Sequence, residues 1–206
     1  MKKFFLSGLL VLLSCVSLFG VTSAVFEESA SVAGVSFTIG EESSEPGGGG
    51  TTGNTALKIL KNTAVSAEES NLADTINGPS FTNVNSTWVQ TLPVKIYNKG
   101  GTVLDIVGTA NYVNDPDTLR DDLYIEILAW NDANNNGTVE EGETGESYGH
   151  DTILRFKNDT FDLGELNGSS TRGYILKFDG SGLSEANIGK TAVYDFVFTG
   201  VEKVTQ

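Results

Sequence analysis

Leu123-Tyr124-Ile125-Glu126-Ile127-Leu128-Ala129-Trp130 is the stretch that decides the fold. Leu123, Ile125, Ile127 and Ala129 share one face at a period of two, and Tyr124, Glu126, Leu128 and Trp130 share the other, as in a β-strand inside a layered structure. The closing stretch repeats the pattern, with Tyr194, Phe196 and Phe198 on one face and Val193, Asp195 and Val197 on the other. Working outward, further strands are expected at 56–60, 88–92, 94–97, 102–112, 152–156 and 172–178, all rich in β-branched and aromatic residues. Turn formers separate them: Asn98-Lys99-Gly100, Asp115-Pro116-Asp117, Leu166-Asn167-Gly168 and Asp179-Gly180. Many short strands so spaced predict an all-β antiparallel sandwich. Ser66 with Glu69 three residues on has the form of a capping box, which predicts a short helix reaching Asp74, anchored by Leu72 and Ile76 and ended before Gly78-Pro79.

The 206 residues suit one domain with a core large enough to fold unaided. Acidic residues outnumber basic ones 27 to 13 and the formal net charge is -14, which argues against nucleic acid or anionic lipid as a partner. The chain opens with Lys2-Lys3, an uncharged apolar run from Phe4 to Phe19, and small residues at Thr22, Ser23 and Ala24. That is the order of a secretory signal peptide over 1–24, with cleavage after Ala24, so the protein is expected outside the cell and at the membrane only before cleavage. Two other readings of the stretch stand beside it. One is lipidation at Cys15 behind Leu12-Leu13-Ser14; the other is an uncleaved anchor from Phe4 to Phe26. Cys15 is the single cysteine, so cleavage would leave no thiol or disulfide chemistry.

Behind the signal come Val25-Phe26-Glu27-Glu28, a Ser/Ala-rich spacer, and Val35-Ser36-Phe37-Thr38-Ile39-Gly40, in which Val35, Phe37 and Ile39 share a face. Residues 41–54 then contain five glycines in an acidic, apolar-free stretch, which has the composition of a linker or surface loop. The remaining 55–206 would form the sandwich. The signal peptide, Ala24-x-Phe26-acidic, Phe37-x-x-Gly40, Leu92-Pro93-Val94 before Asn98-Lys99-Gly100-Gly101, and the closing Tyr194-Asp195-Phe196-Val197-Phe198 together resemble the TasA/camelysin-like secreted proteins. The long 41–54 stretch, and Glu27 where the family has Asp, are departures. The resemblance implies a jelly-roll-like sandwich with a short helix or two in its loops. It also implies a subunit of an extracellular biofilm-matrix fibre, polymerising head to tail by passing residues 25–40 into a neighbour. In that reading Val25, Phe26, Val35, Phe37 and Ile39 form the subunit interface, and the partners are further copies of the chain and other matrix proteins.

Asp132 to Glu143 reads Asp-Ala-Asn-Asn-Asn-Gly-Thr-Val-Glu-Glu-Gly-Glu and matches the twelve-residue calcium loop of EF-hands. Oxygen-bearing Asp132, Asn134 and Asn136 fall at positions one, three and five, with Gly137 at the sharp turn. Thr138 would offer its carbonyl, Glu140 would bind directly or through water, and Glu143 would supply two oxygens. The preceding strand replaces the helix of an EF-hand, so the expectation is a structural calcium loop between two strands. The competing reading is an Asn/Gly-rich turn without an ion.

His150 is the lone histidine, and neither it nor the carboxylate pairs Asp121-Asp122 and Glu140-Glu141 builds a catalytic set, so no enzymatic activity is expected. Trp88 and Trp130 could stack on sugars or pack in the core, and four Asn-x-Ser/Thr sequons begin at Asn85, Asn136, Asn158 and Asn167. The runner-up function is a monomeric, calcium-dependent cell-surface binding module for a glycan or protein.

Overall fold

Burial follows the alternation of the deciding stretch as far as Leu128, beyond which Ala129 is half-buried and Trp130 is buried. Ile125 and Ile127 are fully buried, while Tyr124, Glu126 and Leu128 are partly exposed on the opposite face. In the computed structural model, which describes residues 27–39 and 56–203, this segment is one of twelve strands in two sheets. The strands are β1 (Glu27–Thr38), β2 (Leu57–Leu60), β3 (Leu72–Ala73), β4 (Thr75–Asn77), β5 (Ser80–Phe81) and β6 (Val89–Asn98). They continue as β7 (Leu104–Asn114), β8 (Tyr124–Trp130), β9 (Thr144–Thr152), β10 (Phe161–Leu166), β11 (Ser170–Asp179) and β12 (Thr191–Glu202). One sheet runs β10-β7-β12-β1-β4, with β5 also on β1; the other runs β3-β2-β6-β11-β8-β9. The long pairings are antiparallel, and the two sheets enclose a single apolar core, making an all-β jelly-roll-like sandwich. The expected signal peptide, Val25, Phe26 and the 41–54 stretch lie outside the described residues.

β1 is the first of these strands yet lies inside its sheet, antiparallel to β12 on one side and parallel to β4 and β5 on the other. Its register shifts between Val32 and Val35, where Gly34 takes φ +69° and donates its N–H to Asp195 Oδ1 at 2.7 Å. The extra residue of this bulge switches the side-chain parity, so Ala30 and Val32 before it and Val35, Phe37 and Ile39 after it all reach the core.

Three local expectations are corrected. The segment 66–74 forms only a 3-10 turn, Glu69–Asn71, followed by β3. Ser66 Oγ meets Glu68 Oε1 rather than capping a helix, and the Asn71 amide donates to the carbonyls of Asn62, Val65 and Ser66, which ties the segment into a loop. The expected strand at 152–156 is the end of β9 followed by the helix α1 (Ile153–Asn158). Thr152 Oγ1 caps it by accepting from Arg155 N, and buried Ile153 and Phe156 are spaced for a helix face. The two strands expected on either side of Pro93 are one, β6. Its β2 partner covers only Ile96 to Asn98, so at Pro93 the missing N–H costs no rung on that side.

Candidate cation loop

β8 and β9 form a hairpin whose loop spans 131–143, closed by the Asn131 N–H on the Glu143 carbonyl at 2.9 Å. Inside the loop, Asp132 Oδ1 accepts from Asn136 N at 3.1 Å and Oδ2 from Gly137 N at 2.9 Å. Asn134 Oδ1 also accepts from Asn136 N, and Asn136 Oδ1 from Thr138 N. Glu143 binds the other limb: Oε1 accepts from Ala133 N at 3.2 Å, and Oε2 from Glu140 N at 3.1 Å and Trp130 Nε1 at 3.3 Å. Gly137 turns the chain at φ +75°, and a Cβ there would stand 2.6 Å from Ala64 N. The loop therefore needs glycine at that position for both its conformation and its packing on 63–64.

Two carboxylates of the set, Asp132 and Glu143, are buried, while Asn134, Asn136, Thr138 and Glu140 lie on the exposed limb. Glu140 accepts the side-chain amides of Asn134 and Asn136 at 2.9 and 2.8 Å. The donor set is all oxygen, which suits a hard cation. Among the described residues no three carboxylate, histidine or cysteine side chains converge as a metal-holding group, so an ion here would draw on amide and backbone oxygens as well.

Sequence reading missed the partner of this loop. Lys95, on β6, donates from Nζ to Asp132 Oδ2 at 2.8 Å and to the Thr63 carbonyl at 2.8 Å, and lies 5.1 Å from the Trp130 ring centroid. Burial pushes the Asp132 pKa up, but the Lys95 ammonium and the N–H groups of Gly137 and Asn136 outweigh it and hold the carboxyl below its usual range. The signal available was a lysine between two buried aliphatics, Val94 and Ile96, which marks a covered outer face without naming what covers it.

Of the expected interface residues, Val35, Phe37 and Ile39 are buried in their own sandwich. Phe37 sits among Phe81, Trp88, Phe178 and Tyr194, with ring centroids 5.3 to 6.0 Å away. Trp88 is thus a core-edge residue, and Trp130 belongs to the loop. His150 Nε2 meets Asp179 Oδ2 at 3.1 Å on the outer face of the second sheet, and Asp122 accepts from the Asn187 amide. Asp121 and Glu141 are exposed.

The fold and this loop define a class, an all-β jelly-roll-like sandwich with an oxygen-rich hairpin loop. Comparison with protein-family models, curated proteins and solved structures finds no match to the chain.

Proposed function

We propose that the chain is a secreted structural subunit of an extracellular matrix filament of the TasA-like kind, and not an enzyme. Each copy donates its first strand to a neighbour, and the 132–143 loop takes a structural calcium ion. The observation that carries this reading is the position of β1: first in the described chain, hydrogen-bonded along both edges, and filling the core with Val35, Phe37 and Ile39. The place it fills has the two things a donated strand needs, ladder edges on β12 and β4 that would be left open without β1, and a pocket for an aromatic anchor. A strand passed forward by every copy does not close on itself and builds a filament. Val25 and Phe26 would extend the donated strand.

The test is a lock. Ser31 and Val197 are Cα partners, and Ser31 directs its N–H to Asp74 on the other side, so the pair is a non-hydrogen-bonded one with close Cβ atoms. The protein from Val25 carrying Ser31→Cys and Val197→Cys should form filaments by electron microscopy when reduced and none when its own β1 is oxidised onto its own β12. Filaments from the internally crosslinked chain overturn strand donation. Single particles from the unmodified chain across calcium and protein concentrations overturn the filament.

The binding-module reading has one observation in its favour, a surface cavity of about 340 Å³ lined by Trp88, Thr87, Lys177, Asp179 and Ser181. Calcium-dependent retention on a glycan array by a chain that stays monomeric would favour it.

A further inference from the structure

Val94 and Ile96 point into the core, so Lys95 between them points out of the sheet, and yet it is 91% buried, because the loops at 63–66 and 131–143 close over it. Its ammonium donates two hydrogens, one to a carboxylate and one to a backbone carbonyl, and lies against an indole face. The Asp132 side chain it meets is 1% exposed. The indole donates its N–H to Glu143, so both inner carboxylates of the loop are tied to this one cation, Asp132 directly and Glu143 through Trp130.

We propose that Lys95 is the resident cation of the 132–143 loop, holding it in shape before any metal arrives and setting how weakly it takes calcium. The inference rests on the calcium reading above. A carboxylate withdrawn from water requires a counter-charge, and the ammonium 2.8 Å away supplies it. A divalent ion drawn to Asp132 Oδ1, the oxygen that Lys95 does not hold, arrives within a few ångströms of that ammonium, where repulsion between like charges is weakly screened. Lys95 therefore makes the loop's shape independent of calcium at the expense of affinity. With the charge removed, Asp132 is buried and unpaired, and the loop becomes dependent on the ion.

The experiment is calcium titration by calorimetry of the protein from Val25 and its Lys95→Gln and Lys95→Arg variants, with thermal midpoints read in chelator and in calcium. Lys95→Gln keeps a donor for Asp132 and Thr63 without the charge, whereas Lys95→Arg keeps the charge. The expected result is calcium binding at least tenfold tighter in Lys95→Gln, with a midpoint that falls in chelator and recovers in calcium, and native behaviour in Lys95→Arg. Lys95→Met, which retains the stem against Trp130, is the second neutral variant and should agree with Lys95→Gln. Equal affinity in the native, Gln and Met proteins overturns the role of Lys95 and leaves the calcium loop standing. No calcium binding in any of them overturns the calcium site, and this inference with it.

Discussion

Phe37 of the first strand and Phe178 of β11 meet edge to face between the two sheets, with ring centroids 5.3 Å apart and planes at 73°. This contact links the strand proposed to move to the sheet that would stay. Phe37 is fully buried, so Phe37→Ala removes a complete ring and leaves a cavity, at a cost of about 3–5 kcal/mol. Urea unfolding of the monomer should record that loss, and filaments should fail under conditions where the native chain forms them. A loss below about 1 kcal/mol would mean that the strand is not anchored here.

Calcium should raise the thermal midpoint. At an affinity of roughly 10⁻⁴ to 10⁻³ M, about 10 mM calcium stabilises by about 1.5–3 kcal/mol, or roughly 3–10 °C for a domain of this size. Asp132→Ala and Glu143→Ala should each abolish the shift while lowering the midpoint in chelator. In the first, Lys95 is left without its carboxylate; in the second, Trp130 Nε1 loses its acceptor. A shift that persists in both variants sinks the calcium assignment.

Gly137→Ala should damage the loop without touching an oxygen ligand. Its φ of +75° and a Cβ 2.6 Å from the Ala64 backbone predict a cost of about 1–3 kcal/mol. Proteolysis within 131–143 should quicken in the variant. An unchanged cleavage rate would show that the loop does not depend on its packing against 63–64.

Acid should weaken the fold through named carboxyls. Burial raises the pKa values of Asp132, Glu126 and Asp179, but their partners more than offset it and leave all three lowered: Lys95 and backbone N–H groups, Lys177 and Ser147, and Ser181 and His150. A group whose folded pKa lies below its unfolded value stabilises fully above the unfolded pKa, and that contribution is lost as pH falls through the folded value. Stability should therefore hold near neutrality and decline below about pH 4. Asp132→Asn should be less stable at pH 7 and lose less on acidification. A steeper acid loss in the variant would contradict the Lys95–Asp132 pairing.

What the sequence determined by itself was local. The alternation in 123–130 and 193–198 is a property of consecutive residues, because side chains of a strand leave on alternate faces whatever their partner. The order of oxygens from Asp132 to Glu143 is equally local, and the structure gathers Asp132, Asn134, Asn136, Glu140 and Glu143 into one hairpin loop. β9 was illegible because an exposed edge strand reading Thr-Gly-Glu-Ser-Tyr-Gly-His-Asp-Thr carries no apolar face. β10 was illegible because Gly164 interrupts its alternation at a register shift.

Only the tertiary structure decided who pairs with whom. β1 meets β12 from the far end of the chain, a bulge at Gly34 resets which of its residues face inward, and Lys95 reaches a carboxylate 37 residues away. These choices depend on the shape of the shared core and on the scarcity of solvent for a buried charge, and neither is a property of neighbouring residues.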